Sequence, residues 1–151
     1  MDRLKRLGQA YMDALTEVVA TITGTHLQAG SREPGNDLED ITGVMYLSSN
    51  KNGILFVTAK EDDVRVLCSR FIGVPLEEVT ENDLYDTMCE LVNMTAGNAN
   101  LRIYDVDYIF RLSQPFVLKG KDISIINKPI THIEAGTLTD GNISVSFKAV
   151  Y

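Results

Sequence analysis

The chain has 151 residues, with 14 Lys and Arg against 21 Asp and Glu, 44% apolar residues and 23% charged. That balance suits a globular domain that buries roughly two-thirds of its unfolded surface without disulfides or a structural metal. A formal net charge of −7 and the absence of any Lys or Arg run that could form a basic patch argue against a nucleic-acid partner. No segment approaches the ~18 apolar residues that span a bilayer, and the charged opening over residues 1–9 lacks the apolar core of a secretory signal, so the expected setting is the cytoplasm, with no membrane partner.

Apolar residues at helical spacing (Leu4, Leu7, Ala10, Tyr11, Ala14, Leu15, Val18, Val19 and Ile22) predict one face of a helix over residues 4–23, stopped at Gly24. A short extended stretch over 25–29 precedes the most Gly- and Pro-rich loop, 30–37. Strands are expected over 41–48 and 54–59, joined through Ser49-Asn50-Lys51-Asn52-Gly53, whose Asn-Gly supplies the positive φ of a tight hairpin. Glu61, Asp62 and Asp63 open a second helix, where acids complement the helix dipole, and Gly73 and Pro75 close it. Thr80 is the expected N-cap of a long third helix reaching about residue 104. Strands then follow at 115–119, 123–126, 130–138 and 143–150, the last pair joined by Thr139-Asp140-Gly141-Asn142, with Pro129 at a strand start or on an edge.

This order predicts an α+β fold in one domain over residues 1–151: an antiparallel sheet with the long helices packed on one face. It also suggests an internal duplication about a pseudo-two-fold. A shift of 73 residues sets Asp13, Glu17, Ala20 and Gly24 against Asp86, Glu90, Asn93 and Gly97, although the two hairpins need a larger shift. Cys68 and Cys89 lie in helix-like apolar stretches with no Cys-x-x-Cys spacing and are expected as buried free thiols. His26 and His132 stand alone in strand-like sequence, which leaves little for a His-based metal site or a Ser-His-Asp triad, so no metal is expected.

The chemistry concentrates on the third helix. Asp86, Glu90, Asn93 and Gly97 are four, three and four residues apart and fall within about 60° of the helix circumference. Leu84, Met88, Leu91, Thr95, Ala99 and Ile103 take the other side and face the core. A carboxylate and a carboxamide thus project side by side from a rigid element, with a glycine a turn later that leaves room for something to approach. Geometry alone does not separate such a pair from an ordinary solvated face, because every amphipathic helix has a polar stripe.

The run Asp86-Thr87-Met88-Cys89-Glu90-Leu91-Val92-Asn93-Met94-Thr95-Ala96-Gly97-Asn98 resembles the signature helix of the CheC/CheX/FliY family of chemotaxis phosphatases. In that signature Asp or Ser, three residues, Glu, two residues and Asn are followed by about 21 residues and a Pro; here 21 residues separate Asn93 from Pro115. Ala20 stands where a second copy needs Asn, so the chain resembles the CheX type, with one active helix and with Asp13 and Glu17 on a structural one.

The resemblance implies a hydrolase of two-component signalling, a phosphatase acting on the aspartyl phosphate of a CheY-like response-regulator receiver domain. It implies that Asn93 holds the attacking water and that Glu90 pairs with the receiver's lysine. Asp86 would have at most a supporting part, Gly97 and Asn98 would serve close packing and helix-end hydrogen bonding, and Pro115 would set the start of the strand beside the site. Mg²⁺ would come from the receiver, so the chain needs no cofactor of its own. A homodimer is also implied. The alternative is a non-catalytic receiver-binding or flagellar-switch adaptor of the same fold.

Overall fold

A computed structural model describes residues 3–30, 35, 37–49, 52–103, 110–126 and 132–151. In chain order the elements are α1 (Arg3–Thr23), β1 (Gln28–Ala29), β2 (Ile41–Ser48), β3 (Gly53–Ala59), α2 (Glu61–Ile72), a single 3₁₀ turn (Leu76–Glu78), α3 (Glu81–Arg102), β4 (Arg111–Leu112), β5 (Phe116–Lys119), β6 (Ile133–Thr139) and β7 (Ser144–Val150). The apolar stripe predicted on the first segment is the buried face of α1, from Leu7 to Val19, with Ile22 partly buried; the side chain of Leu4 lies outside the described residues.

The sheet is antiparallel and seven-stranded, in the order β1-β6-β7-β3-β2-β4, with β5 also on β2. Because β3 fills one side of β2, β4 and β5 share the other as one interrupted edge. Strand alternation assigns the two faces. Ile41, Met45 and Leu47 of β2, Leu55, Val57 and Ala59 of β3, and Val145, Phe147 and Ala149 of β7 meet the helices in one core. α1 packs over β6 and β7, and α3 over β2 and β3, on either side of the central β3–β7 pair.

One contact sets how low α3 lies. A Cβ at Gly43 of β2 would come within 2.6 Å of the Met88 carbonyl oxygen and 3.1 Å of the Val92 side chain. Only the missing side chain lets the helix reach the sheet there.

The opposite face is more polar. Thr42 and Thr58 hydroxyls meet at 2.8 Å, as do those of Thr137 and Ser146. The buried Lys148 ammonium donates to the carbonyls of Gly35 and Asp37, and burial pushes its pKa down. A cavity of about 400 Å³ on this face is lined by Thr58, Thr137, Ser146 and Lys148 among others, none of them on α3.

Several expectations are corrected. The strand over 123–126 is absent: Ser124 makes only an isolated bridge with Asp37, and Ile126 is exposed. The chain turns at Asp122, which holds a left-handed φ of 59°, and among the described residues no neighbouring strand runs alongside to continue the pairing. β6 begins at Ile133, while Pro129, Ile130 and Tyr104 lie outside the described residues. Neither histidine is in a strand: His26 is exposed in the link between α1 and β1, and His132 immediately precedes β6. Cys68 is buried as expected, but Cys89 is only half-buried, because it borders the outward stripe of α3.

Candidate functional site

The third helix is fixed before its polar face is considered. Thr80 is the N-cap: its hydroxyl accepts from the Asp83 N–H at 3.2 Å, and the Asp83 carboxylate accepts from the Thr80 N–H at 2.9 Å, a reciprocal capping box. Leu84, Thr87, Met88, Leu91, Val92, Thr95, Ala96 and Ala99 are buried. The predicted core side is therefore correct and wider than expected, with Ile103 as a half-buried C-cap.

Opposite that face, Asp86 and Asn93 are exposed, and Glu90 and Gly97 half-exposed. Among the described residues neither Glu90 nor Asn93 has a hydrogen-bond or ion-pair partner, so both present unsatisfied polar groups outward from a rigid backbone. The Cys89 thiol beside them is pushed up by partial burial and by the Asp86 and Glu90 carboxylates, which keeps it protonated and weakly nucleophilic near neutral pH.

Two side networks brace the helix. At its first turns the Lys119 ammonium of β5 lies 2.8 Å from the Glu81 carboxylate, 3.7 Å from Glu61 and 6.0 Å from the centre of the Tyr85 ring. This pairing holds the Glu81 carboxyl below its usual range. At its last turns Asn98 accepts from Arg102 Nε at 2.7 Å and donates to the Glu17 carboxylate of α1 at 3.2 Å, and Arg102 also pairs with Glu17.

Asn98 thus hydrogen-bonds in the last turns of α3 and also ties that helix to α1. At the C-cap the Ile103 N–H donates to the Asn100 carbonyl, and the Asn100 side chain donates to the Phe110 carbonyl at 2.8 Å. Gly97 does not serve close packing, since a Cβ there would meet no described atom within 4 Å. Arg102 and Lys119 were missed from the sequence, whereas Glu17 was singled out by its alignment with Glu90 under the 73-residue shift and placed on a structural helix.

Pro115 is half-buried and immediately precedes β5. Lacking an N–H, it falls in the gap between β4 and β5, where Ser113 instead bonds Tyr46 through its N–H (3.1 Å) and hydroxyl (2.9 Å). The register sets Val117 opposite Gly43, so β5 runs beside the strand on which the middle of α3 rests. Among the described residues no three His, Cys, Asp or Glu side chains gather to hold a metal ion, and no helix is long and apolar enough to cross a membrane.

The family model of the chemotaxis phosphatase CheX matches residues 41–134, which include α3 and Pro115. The chain belongs to the CheX family. Its fold is that of solved CheX and CheC-like proteins. The chemotaxis protein CheX of Desulfovibrio desulfuricans superposes with a TM-score of 0.80 at 20% identity, over 96% of this chain and 99% of that one. A CheC-like superfamily protein of Shewanella sp. PV-4 gives 0.80 at 21%, over 99% and 98%. A chain of the CheX–CheY–BeF₃–Mg²⁺ complex of Borrelia burgdorferi gives 0.72 at 12%, over 94% and 95%. At these identities the likeness is one of fold. No curated protein matches the sequence.

Proposed function

We propose that this CheX family member accelerates hydrolysis of the aspartyl phosphate on a CheY-like receiver domain. The observation that carries the reading is the outward pair Glu90 and Asn93, one turn apart on a helix whose other side is locked into the core. The Borrelia complex, which joins CheX to CheY with BeF₃ and Mg²⁺, supports the class of partner and the partner as the source of the metal.

An acyl phosphate is already activated, so the helper has mainly to position a water. Water attacks phosphorus, the aspartyl carboxylate leaves, and inorganic phosphate and a proton are released. Asn93 enters the receiver's site, its amide oxygen accepting a hydrogen bond from the water and its NH₂ donating to a phosphoryl oxygen. A neutral carboxamide suits a place where a carboxylate would repel those oxygens. Glu90 pairs with the receiver's lysine and fixes the register of docking, which governs specificity more than raw affinity. Asp86 sits a further turn away and supports the acidic rim. The whole chain acts as one domain, and two copies associate through the sheet. Asn93 beside Glu90 favours catalysis over the adaptor role, which has no use for a water-holding group.

The test mixes the protein with phosphorylated receiver and Mg²⁺ and follows loss of the phosphoryl group. Wild type is expected to accelerate it. Asn93→Ala should bind as wild type but lose on the order of 10²-fold or more in rate, whereas Glu90→Ala should mainly weaken complex formation. No acceleration with any of several receivers would remove the enzyme reading, and an unchanged affinity in Glu90→Ala would remove that residue's assignment.

A further inference from the structure

Gly97 is the member of the exposed stripe that the fold does not account for. It lies inside α3, and its φ is not among the positive ones, so a side chain there would meet no backbone strain. A Cβ would have no described atom within 4 Å. Gly43 makes the contrast, since α3 itself occupies the space its side chain would need. A glycine in a helix interior is less favourable than alanine, and nothing among the described residues uses what Gly97 leaves out.

Its neighbours on that face suggest what does. At 100° per residue, Glu90, Asn93, Gly97 and Leu101 fall within about 80° of one another on one face of the helix. Leu101 is 80% exposed, the most exposed large apolar side chain among the described residues. A single exposed leucine is ordinary. One that continues the line of the candidate catalytic pair, across a gap with no side chain, makes a knob beside a notch.

We infer that Gly97 forms the floor of a notch, between Asn93 and Leu101, that receives a main-chain loop of the receiver bordering its phosphorylation site, with Leu101 packing on an apolar side chain of that loop. This rests on the receiver-phosphatase reading and adds to it a determinant of specificity outside the Glu90 and Asn93 pair. The notch sets the depth of docking. A side chain at position 97 holds the receiver about 1 Å or more further off, and a displacement of that size at a reacting centre costs on the order of 10²-fold in rate. Leu101 contributes affinity without touching the reacting atoms, as a buried apolar anchor does at an interface.

The experiment measures binding of Gly97→Ala, Gly97→Leu and Leu101→Ser to a CheY-like receiver loaded with beryllofluoride and Mg²⁺. It also measures turnover on the phosphorylated receiver, with thermal unfolding and far-UV circular dichroism as folding controls. Gly97→Leu should keep the wild-type spectrum and raise Kd at least tenfold. Gly97→Ala should raise Tm by about 3 °C while kcat/KM falls, so that stability and function move in opposite directions, which a purely structural glycine would not give. Leu101→Ser should raise KM about tenfold at unchanged kcat.

Wild-type Kd and kcat/KM in both Gly97 variants overturn the notch. Should Gly97→Leu misfold, Gly97→Ala alone decides the matter. A wild type that binds the receiver without accelerating hydrolysis overturns the phosphatase reading, and the Kd ratios still judge the notch; a wild type that binds no receiver overturns both.

Discussion

A carboxamide and a carboxylate have nearly the same shape and differ by a charge, which makes Asn93→Asp the most telling single change. Asn93 is exposed and has no partner among the described residues, so the substitution should leave folding unchanged. It places a second carboxylate one turn from Glu90 and, in the docked complex, against the phosphoryl oxygens. Hydrolysis at saturating phosphorylated receiver should fall on the order of 10²-fold or more, as when a preorganised donor at a developing oxyanion is lost. Single-turnover measurement checks this, and a variant retaining a tenth of the wild-type rate would refute the water-holding role. At Cys89, next to Glu90, partial burial and two acidic neighbours favour the thiol over the thiolate. Glu17, which the 73-residue shift aligns with Glu90, anchors Asn98 and Arg102 from α1. Its partner position holds Ala20, whose methyl offers nothing to a water.

The two glycines that bear on α3 act at the scale of elements and in opposite senses. Gly43→Ala puts a methyl within 2.6 Å of the Met88 carbonyl oxygen, so α3 must lift from β2. Overpacking of this kind should cost about 1–3 kcal/mol, read as a lower midpoint in urea; an unchanged midpoint would mean that α3 rides on the sheet with slack. Helix α3 was legible in the sequence because its signals are local: Thr80 and Asp83 at the cap, apolar residues at period 3.6, and the outward stripe. The sheet was legible where hairpins made it local, as in β2–β3 and β6–β7. It failed where pairing depends on distant chain. The two residues of β4 are strand only because Leu47 and Ser48 lie alongside. The Ile-Ser-Ile-Ile run at 123–126 has a strand's composition but only one bridging partner. The ties from Asn98 and Arg102 to Glu17 span more than 80 residues of sequence, and no periodicity announces them.

For the whole molecule, the outstanding consequence of the fold is the edge made by β4 and β5. Phe116 and Leu118 alternate with Val117, which packs into the core, and so point to the face of the sheet opposite α3, where the Tyr46 ring lies tilted against that of Phe116 with centres 6.1 Å apart. Tyr46, Phe116 and Leu118 are 52%, 39% and 36% exposed, a row of large apolar side chains on β2 and on β5, which among the described residues pairs with β2 alone. Such an edge invites pairing unless something covers it. A net charge of −7 opposes association through charged surface, so the contact proposed between two copies should be main chain to main chain, with this apolar row packed across it. It would also leave the outward face of α3 open in both copies, because that face lies on the other side of the sheet. Sedimentation equilibrium should find a dimer at tens of micromolar. The double variant Phe116→Lys with Leu118→Lys should be monomeric with an unchanged far-UV circular dichroism spectrum, and should still dephosphorylate the receiver. A wild type that sediments as a monomer throughout would dismiss the dimer. A charged double variant that remains dimeric would move the contact to the other edge, made by β1 and β6.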